Sequence, residues 1–462
     1  MSKNFLTDSL LYIFSDVINK SAIFLMIPIY TSVFTVEEYG ILETILISIG
    51  AATLIIGFSS KITFLRLIYD YKGNEIKRHL FDTMMIITFI TSLLFILVLV
   101  FEASFVNIFG NNYRTFAFLI LSYVFFLCLN ELSLVILRYD KKVFQYLLYT
   151  FIKTIFEISL IIYFVVTLNQ GLLGRLEGSL ISMMIVFIIF LKFFVWRNVI
   201  PSFNFVFIMK YFKYSFPIVL TQIVGWILIS YDKLLLNQSF SIKELGIFAL
   251  GTQVLMIYKY IAEASFKAFN VEIFENPKII ENNLYNIILV VCSASAILAL
   301  LITFMSNDIV MLIANISYIE ASKVVKYMVF AKFISVYVAF LILVLYLYKD
   351  SSSIAKVVFK CMLIMIVVST ILVPLLQFIG AGISAIIVNG IMAYLLTAEV
   401  KKYVEVQFDY KMIVVVLILV IGILLSFISP TYLYNFVFLI GATILFFYIN
   451  KEFILRIILR KA

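Results

Sequence analysis

Charge is scarce in this chain. Only 13% of its 462 residues are Asp, Glu, Lys or Arg, and 64% are apolar. A soluble domain carries about 25% charged and about 45–50% apolar residues. So few charges cannot clothe so long a chain in water, which excludes soluble enzymes, nucleic-acid binders and secreted disulfide scaffolds. Cysteine is nearly missing too. Cys128, Cys292 and Cys361 each sit inside an apolar run and read as small core residues, giving neither a disulfide framework nor a metal site. The single histidine, His79, falls in a charged stretch read as a loop, with no other ligand residue beside it, which argues against zinc or haem. None of the 16 glycines precedes a lysine, so there is no phosphate loop of the GxxxxGK type, and no GxGxxG occurs. No cofactor is expected. Energy for any transport must come from a gradient or the membrane potential.

What is present is a succession of long apolar runs. A spanning helix needs about 20 mostly apolar residues. Continuous runs, as opposed to ten-residue alternation, exclude a β-barrel. The runs predict an all-α polytopic membrane protein of about 14 transmembrane helices, at 9–34, 41–69, 83–101, 115–138, 144–166, 177–196, 212–236, 244–268, 284–305, 323–348, 354–376, 381–400, 411–429 and 432–449. The stretch Leu10–Phe14 is interrupted by Asp16, Asn19 and Lys20 and lacks a cleavage site, so it reads as the start of the first span and not as a signal peptide. With the N-terminus inside, the outer loops hold five Lys/Arg: Arg114, Arg175, Lys243, Lys323 and Lys326. Inner loops, helix mouths and termini hold twenty of the 35. That asymmetry predicts both termini on the cytoplasmic side of a multi-pass protein. No segment outside the spans is long enough for a catalytic domain, so the chain is not expected to be an enzyme.

The sequence repeats itself. FTVEEYGI at 34–41 returns as FSIKELGI at 240–247, an offset of 206 residues. The same offset carries Gly174 onto Gly380 and Lys61 onto Lys267. Six helices fit in the interval, an even number, so the halves share one orientation. This predicts an N-terminal lobe at 1–200 (helices 1–6), a second lobe at 201–405 (helices 7–12), and helices 13–14 with a cytoplasmic tail at 406–462. Two like lobes with a substrate site between them describe an alternating-access carrier.

Charges lie where lipid should be. Asp16, Lys20, Lys61, Arg66, Glu131, Lys153, Glu157, Lys259 and Glu263 fall at depth within the runs. Each would cost about 2.5–3.5 kcal/mol facing the bilayer centre. Together that exceeds the usual stability of a fold, about 5–15 kcal/mol. They must face a cavity or one another. Asp16 and Lys20, Lys153 and Glu157, and Lys259, Glu263 and Lys267 are each spaced to share a helix face and pair along it. Lys20, Lys61, Lys153 and Lys259 are expected to line a substrate cavity. Asp16, Glu131, Glu157 and Glu263 are expected as charge partners or ion-coupling groups. Glu131 has no partner on its own helix and is either paired across helices or a proton site. Arg66, Lys192, Lys267 and Lys360 lie near inner helix ends, where snorkelling to the interface explains them. Helices 13 and 14 carry no ionisable residue between Met412 and Tyr448, which reads as packing against lipid or as a surface guiding a long lipid tail.

The corner TSVFTVEEYGIL and the segment KYSFPIVLTQIVGWILISYDKLLLNQSFSIKELGIFALG, with Pro217, Asp232, Gly246 and Ile247, resemble the bacterial polysaccharide-unit flippases of the O-antigen and capsule type. These belong to the superfamily of multidrug and oligosaccharidyl-lipid exporters, and the resemblance runs along most of residues 5–400. It implies translocation of undecaprenyl-pyrophosphate-linked oligosaccharide units from the inner to the outer leaflet of the bacterial cytoplasmic membrane. It also implies polysaccharide polymerase and chain-length partners, and none of nucleic acid. The related lipid II flippases place cations on helices 1, 2 and 8, where this chain has Lys20, Lys61 and Lys259. Lysines stand here where arginines are common, which weakens a bidentate phosphate clamp. A cation-coupled multidrug exporter of the same superfamily and a lipid II or teichoic-type flippase are the alternatives.

Overall fold

The computed structural model describes residues 24–100, 113–190, 199–239, 241–275, 278–405, 409–428 and 432–459, together with Leu11, Ser15, Ile18, Ser21 and Ala22. Among the described residues the chain is helical throughout. The first apolar helix, α1, spans Phe24–Val33. It is followed by α2 (Val36–Gly57), α3 (Ser60–Leu67), α4 (Asn74–Val100), α5 (Tyr113–Tyr139), α6 (Val143–Ile162), α7 (Gly171–Phe190) and α8 (Phe205–Ser239). Then come α9 (Ile242–Glu275), α10 (Lys278–Phe304), the short α11 (Ser306–Ile313), α12 (Ala321–Leu347), α13 (Ser351–Val400), α14 (Tyr410–Ile428) and α15 (Tyr432–Leu459). Eleven of the described helical stretches are long and apolar enough to cross a membrane. The protein is a multi-pass membrane protein whose described helices follow the predicted runs.

Three differences from the sequence expectation have local causes. α2 and α3 are one predicted span broken between Gly57 and Ser60, because Phe58 and Ser59 adopt left-handed backbone at φ 39° and 57°. Two predicted spans meet without a gap inside α13, where Gln377 (φ 55°, ψ −135°) kinks the helix three residues after Pro374. The positive φ at Gln377 ends one helical segment and redirects the chain into the next. Finally, α4 begins at Asn74, more than two turns before the predicted start at 83. Its first turns are legible as helix only in three dimensions: Glu75 and Arg78 are exposed, while His79, Leu80 and Asp82 are buried.

The chain forms two compact units, Met1–Trp226 and Ile227–Ala462. In the first, α5 is central: 72% of its most apolar stretch is buried, against 28% for α4 and 22% for α6. Val124, Leu132, Leu176, Met183 and Tyr211 form the sealed core around it. In the second, α12 takes that place, with 67% buried, whereas α15 has only 11%. A helix buried on all sides needs apolar residues on every face, and α12 buries Val324, Val325, Val329, Leu341, Val344 and Leu345.

The repeat is written into local devices. Thr35 caps α2 in a capping box, its Oγ1 accepting from Glu38 N at 3.2 Å while Glu38 Oε2 accepts from Thr35 N at 2.8 Å. At the repeat offset, Ser241 Oγ accepts from Glu244 N at 3.4 Å at the start of α9. Such caps satisfy backbone donors that a helix start leaves free. The paired glycines match too. A Cβ on Gly174 would meet Phe164 O at 2.9 Å, and one on Gly380 would run into Leu372 O, so in each unit an entering helix rides directly on the backbone of the preceding turn.

Candidate functional site

The break in α2–α3 builds a cavity in the first unit. Gly57 brings α2 against α5, where an added Cβ would lie 3.3 Å from Cys128 Sγ. Beyond it the left-handed Phe58 and Ser59 swing the chain aside. Non-glycine residues rarely take this conformation, and they persist in it only where their surroundings hold them. The first half of α8 does so. Tyr211 Oη donates to Phe58 O at 3.3 Å, Ser215 Oγ to Thr63 Oγ1 at 2.9 Å, and the Phe212 ring stands edge-on to Phe58 at 5.2 Å. A cavity of about 290 Å³ opens beside the break, lined among others by Thr53, Ser59, Ser60, Lys61, Glu131 and Gln222. Irregular backbone at membrane depth is tolerated where it lines such a cavity.

Lys61 and Glu131 face one another here. Lys61 Nζ lies 2.5 Å from Glu131 Oε2, and about half of the Lys61 side chain is open to solvent. Glu131 is thus paired across helices, the first of the two readings left open by the sequence. Lys153 on α6 and Arg138 on α5 bear on the same carboxylate, so one anion lies within reach of three cations. Next to Glu131, Asn130 donates to Met183 O at 3.1 Å and accepts from Tyr149 Oη, which ties α5 to α6 and α7 and fixes the carboxylate's position. Cys128, read from sequence as plain core, also lines the cavity.

The other predicted site residues distribute as follows. Lys153 and Glu157 are not joined to each other. Their shared helix face is real, yet cross-helix partners lie nearer: Glu157 Oε1 accepts from Tyr123 Oη at 3.3 Å and bears on Arg175. Lys259 is exposed on α9 in the second unit, within electrostatic reach of Lys332. Asp16 and Lys20, and the side chains of Glu263 and Lys267, lie outside the described residues. Arg66 pairs with Asp70 at 3.0 Å, and Lys210 joins the same carboxylate at 3.0 Å.

Two features escaped sequence reasoning, and a third residue, Asp232, is marked in the sequence without a role. Arg175 was assigned to an outer loop but is buried in α7, donating to Ser179 Oγ and bonded to Tyr30. The flanking Gly174 and Gly178, which let α7 close on α6, were the signal for it. His79 is not in a loop. It is buried in α4, its Nδ1 3.1 Å from Asp82 Oδ2 and its ring stacked on Phe207 at 4.0 Å. Asp82 Oδ1 also accepts from Ser202 Oγ at 2.9 Å, so the pair anchors the segment leading into α8. In the second unit, Asp232 is buried with Oδ1 unbonded, and Lys332, Lys233 and Ser369 surround it.

No protein-family model matches the chain, and no curated protein sequence matches it. Solved structures do. The chain is similar to the lipid II flippase MurJ in an inward closed conformation, with a TM-score of 0.76, 16% identity, and coverage of 98% of this chain and 100% of that one. It is similar to an inward-facing multidrug resistance MATE family transporter of the MOP superfamily, with a TM-score of 0.61, 14% identity, and coverage of 89% and 96%. A third similar structure is a MOP superfamily transporter from Pyrococcus furiosus, described as having a binding pocket of reverse polarity, with a TM-score of 0.55, 14% identity, and coverage of 85% and 94%. Over 98% of its length this chain has the fold of that MurJ structure, and over 89% of its length that of the MATE transporter.

Proposed function

We propose that the protein is a flippase that moves undecaprenyl-pyrophosphate-linked oligosaccharide units from the inner to the outer leaflet of the bacterial cytoplasmic membrane, for assembly of surface polysaccharide. The observation that carries this reading is the excess of cations around Glu131 at the cavity of the first unit. Lys61 stands half open at that cavity beside a broken helix, and Lys153 and Arg138, which do not line it, bear on the same carboxylate. An excess of positive charge at membrane depth suits a phosphorylated lipid and repels a cationic drug. The likeness to a lipid II flippase over nearly the whole chain supports a lipid-linked cargo.

Lys20 and Lys259 are further cations proposed to meet the cargo, with Asp16, Glu157 and Glu263 as charge partners. The working parts are lobes at 1–200 and 201–405, with 406–462 as an addition. Both termini lie in the cytoplasm, and polymerase and chain-length proteins act next on the cargo. An inside-negative potential favours outward movement of the anionic head by about 2.3 kcal/mol per charge per 100 mV.

A multidrug exporter is the second reading. It is favoured by the buried Asp232 carboxylate, whose Oδ1 has no hydrogen-bond partner, and by the MATE likeness. Deleting the protein and profiling undecaprenyl-linked species by leaflet separates the two. Accumulation of one lipid-linked oligosaccharide on the inner leaflet supports the flippase. Unchanged lipid pools with altered drug susceptibility would reject it.

A further inference from the structure

α14 and α15 form an antiparallel pair whose apolar runs, from Met412 to Tyr448, contain no Asp, Glu, Lys, Arg or His. At one end of the pair is a cleft of about 550 Å³, lined by Tyr410, Lys411, Val414, Leu445, Tyr448 and Lys451 among others. Lys411 comes just before the first run and Lys451 just after the second, so the hairpin brings both ammonium groups to the same cleft from different helices. No carboxylate lines it, and among the described residues neither lysine has an ion-pair partner. The neighbouring Asp409 is engaged elsewhere, accepting from Tyr410 N at 2.6 Å and Tyr285 Oη at 3.4 Å. Tyr410 and Tyr448 are largely exposed at this end, as aromatic residues of a membrane interface are.

We infer that this cleft is a binding site for the headgroup of an anionic glycerophospholipid. The two lysines take the phosphate, and the walls at Val414 and Leu445 take the first carbons of the acyl chains. Basic pockets between membrane helices bind anionic headgroups in this way. The strength of the site decides which anionic lipid occupies it. Two lysines near a surface enrich an anionic lipid by about 30-fold. That fills the cleft from a lipid that is a major component of the leaflet, and is too little to capture a scarce lipid-linked intermediate. The inference is independent of the cargo proposed above.

The test is native mass spectrometry of the full-length protein, released from nanodiscs holding equal parts phosphatidylglycerol and phosphatidylcholine with matched chains. The wild type is expected to retain phosphatidylglycerol over phosphatidylcholine by about ten-fold or more. Lys411→Gln/Lys451→Gln is expected to bring the ratio near one. Lys401→Gln/Lys402→Gln is expected to leave it at the wild-type value. Thermal unfolding in phosphatidylcholine alone verifies that each variant folds. An even ratio in the wild type, a preference that survives in the Lys411/Lys451 double variant, or an equal loss in the Lys401/Lys402 variant overturns the inference. Displacement of phosphatidylglycerol by one equivalent of undecaprenyl phosphate also overturns it, because the occupant would then be an isoprenoid lipid.

Discussion

Lys61, just past a break in its helix, reaches Glu131 on α5 with Nζ 2.5 Å from Oε2. The pair is partly solvated, and exposed pairs contribute about 0–1 kcal/mol to stability. Its role is therefore in charge placement more than in folding. Lys61→Ala is expected to reduce transport about ten-fold or more while shifting stability by under about 1 kcal/mol. Flux of lipid-linked oligosaccharide into vesicles, with thermal unfolding alongside, checks both. Wild-type flux in a Lys61→Ala/Lys153→Ala double variant would remove the cationic cavity from the mechanism.

The backbone break admits a separate test. Ser59 holds a left-handed conformation at φ 57° and its Oγ has no hydrogen-bond partner. Glycine adopts that conformation without penalty, so Ser59→Gly is expected to leave stability unchanged or raise it by up to about 1 kcal/mol. Ser59→Val, β-branched at positive φ, is expected to cost about 1–2 kcal/mol. Equal melting of the two variants would mean that the break is not fixed at this residue.

The buried Arg175 on α7 and the half-buried Glu157 on α6 bear on one another, with Tyr123 and Tyr30 beside them. Removing one member leaves the other at membrane depth without its counter-charge, at a cost of about 1–3 kcal/mol. Arg175→Met is thus expected to lose folded protein in the membrane. Arg175→Met/Glu157→Gln is expected to recover most of it, since neither charge is then left alone. Expression followed by size-exclusion profiles distinguishes the outcomes, and a double variant no better than the single would contradict the pairing.

Gly380 sits where a Cβ would run into Leu372 O, and Gly174 where one would meet Phe164 O at 2.9 Å. Backbone cannot move aside as a side-chain tip can. Alanine at either position is expected to lower stability by about 2 kcal/mol or more, in the range of overpacked cores. Gly390→Ala, with nothing within 4 Å of the added methyl, is expected to stay within about 0.5 kcal/mol of wild type. Melting temperatures in one detergent rank the three.

The number of spans, the membrane setting and the repeat at 206 residues were determined by the sequence itself. Each depends on a local and periodic property, the length of an apolar run or a capping signature, that survives without knowledge of neighbours. The pairing of charges was decided only by tertiary structure. Helical spacing offered Lys153 to Glu157, but packing gave Glu157 to Tyr123 and Arg175 and left Glu131 between Lys61 and Lys153. His79 and Arg175 moved from presumed loops to buried positions for the same reason. A charged group at depth goes to whichever opposite charge or hydroxyl lies nearest across the helix interface. That distance is set by how closely helices approach, at Gly57, Gly174 and Gly178, and not by separation along the chain.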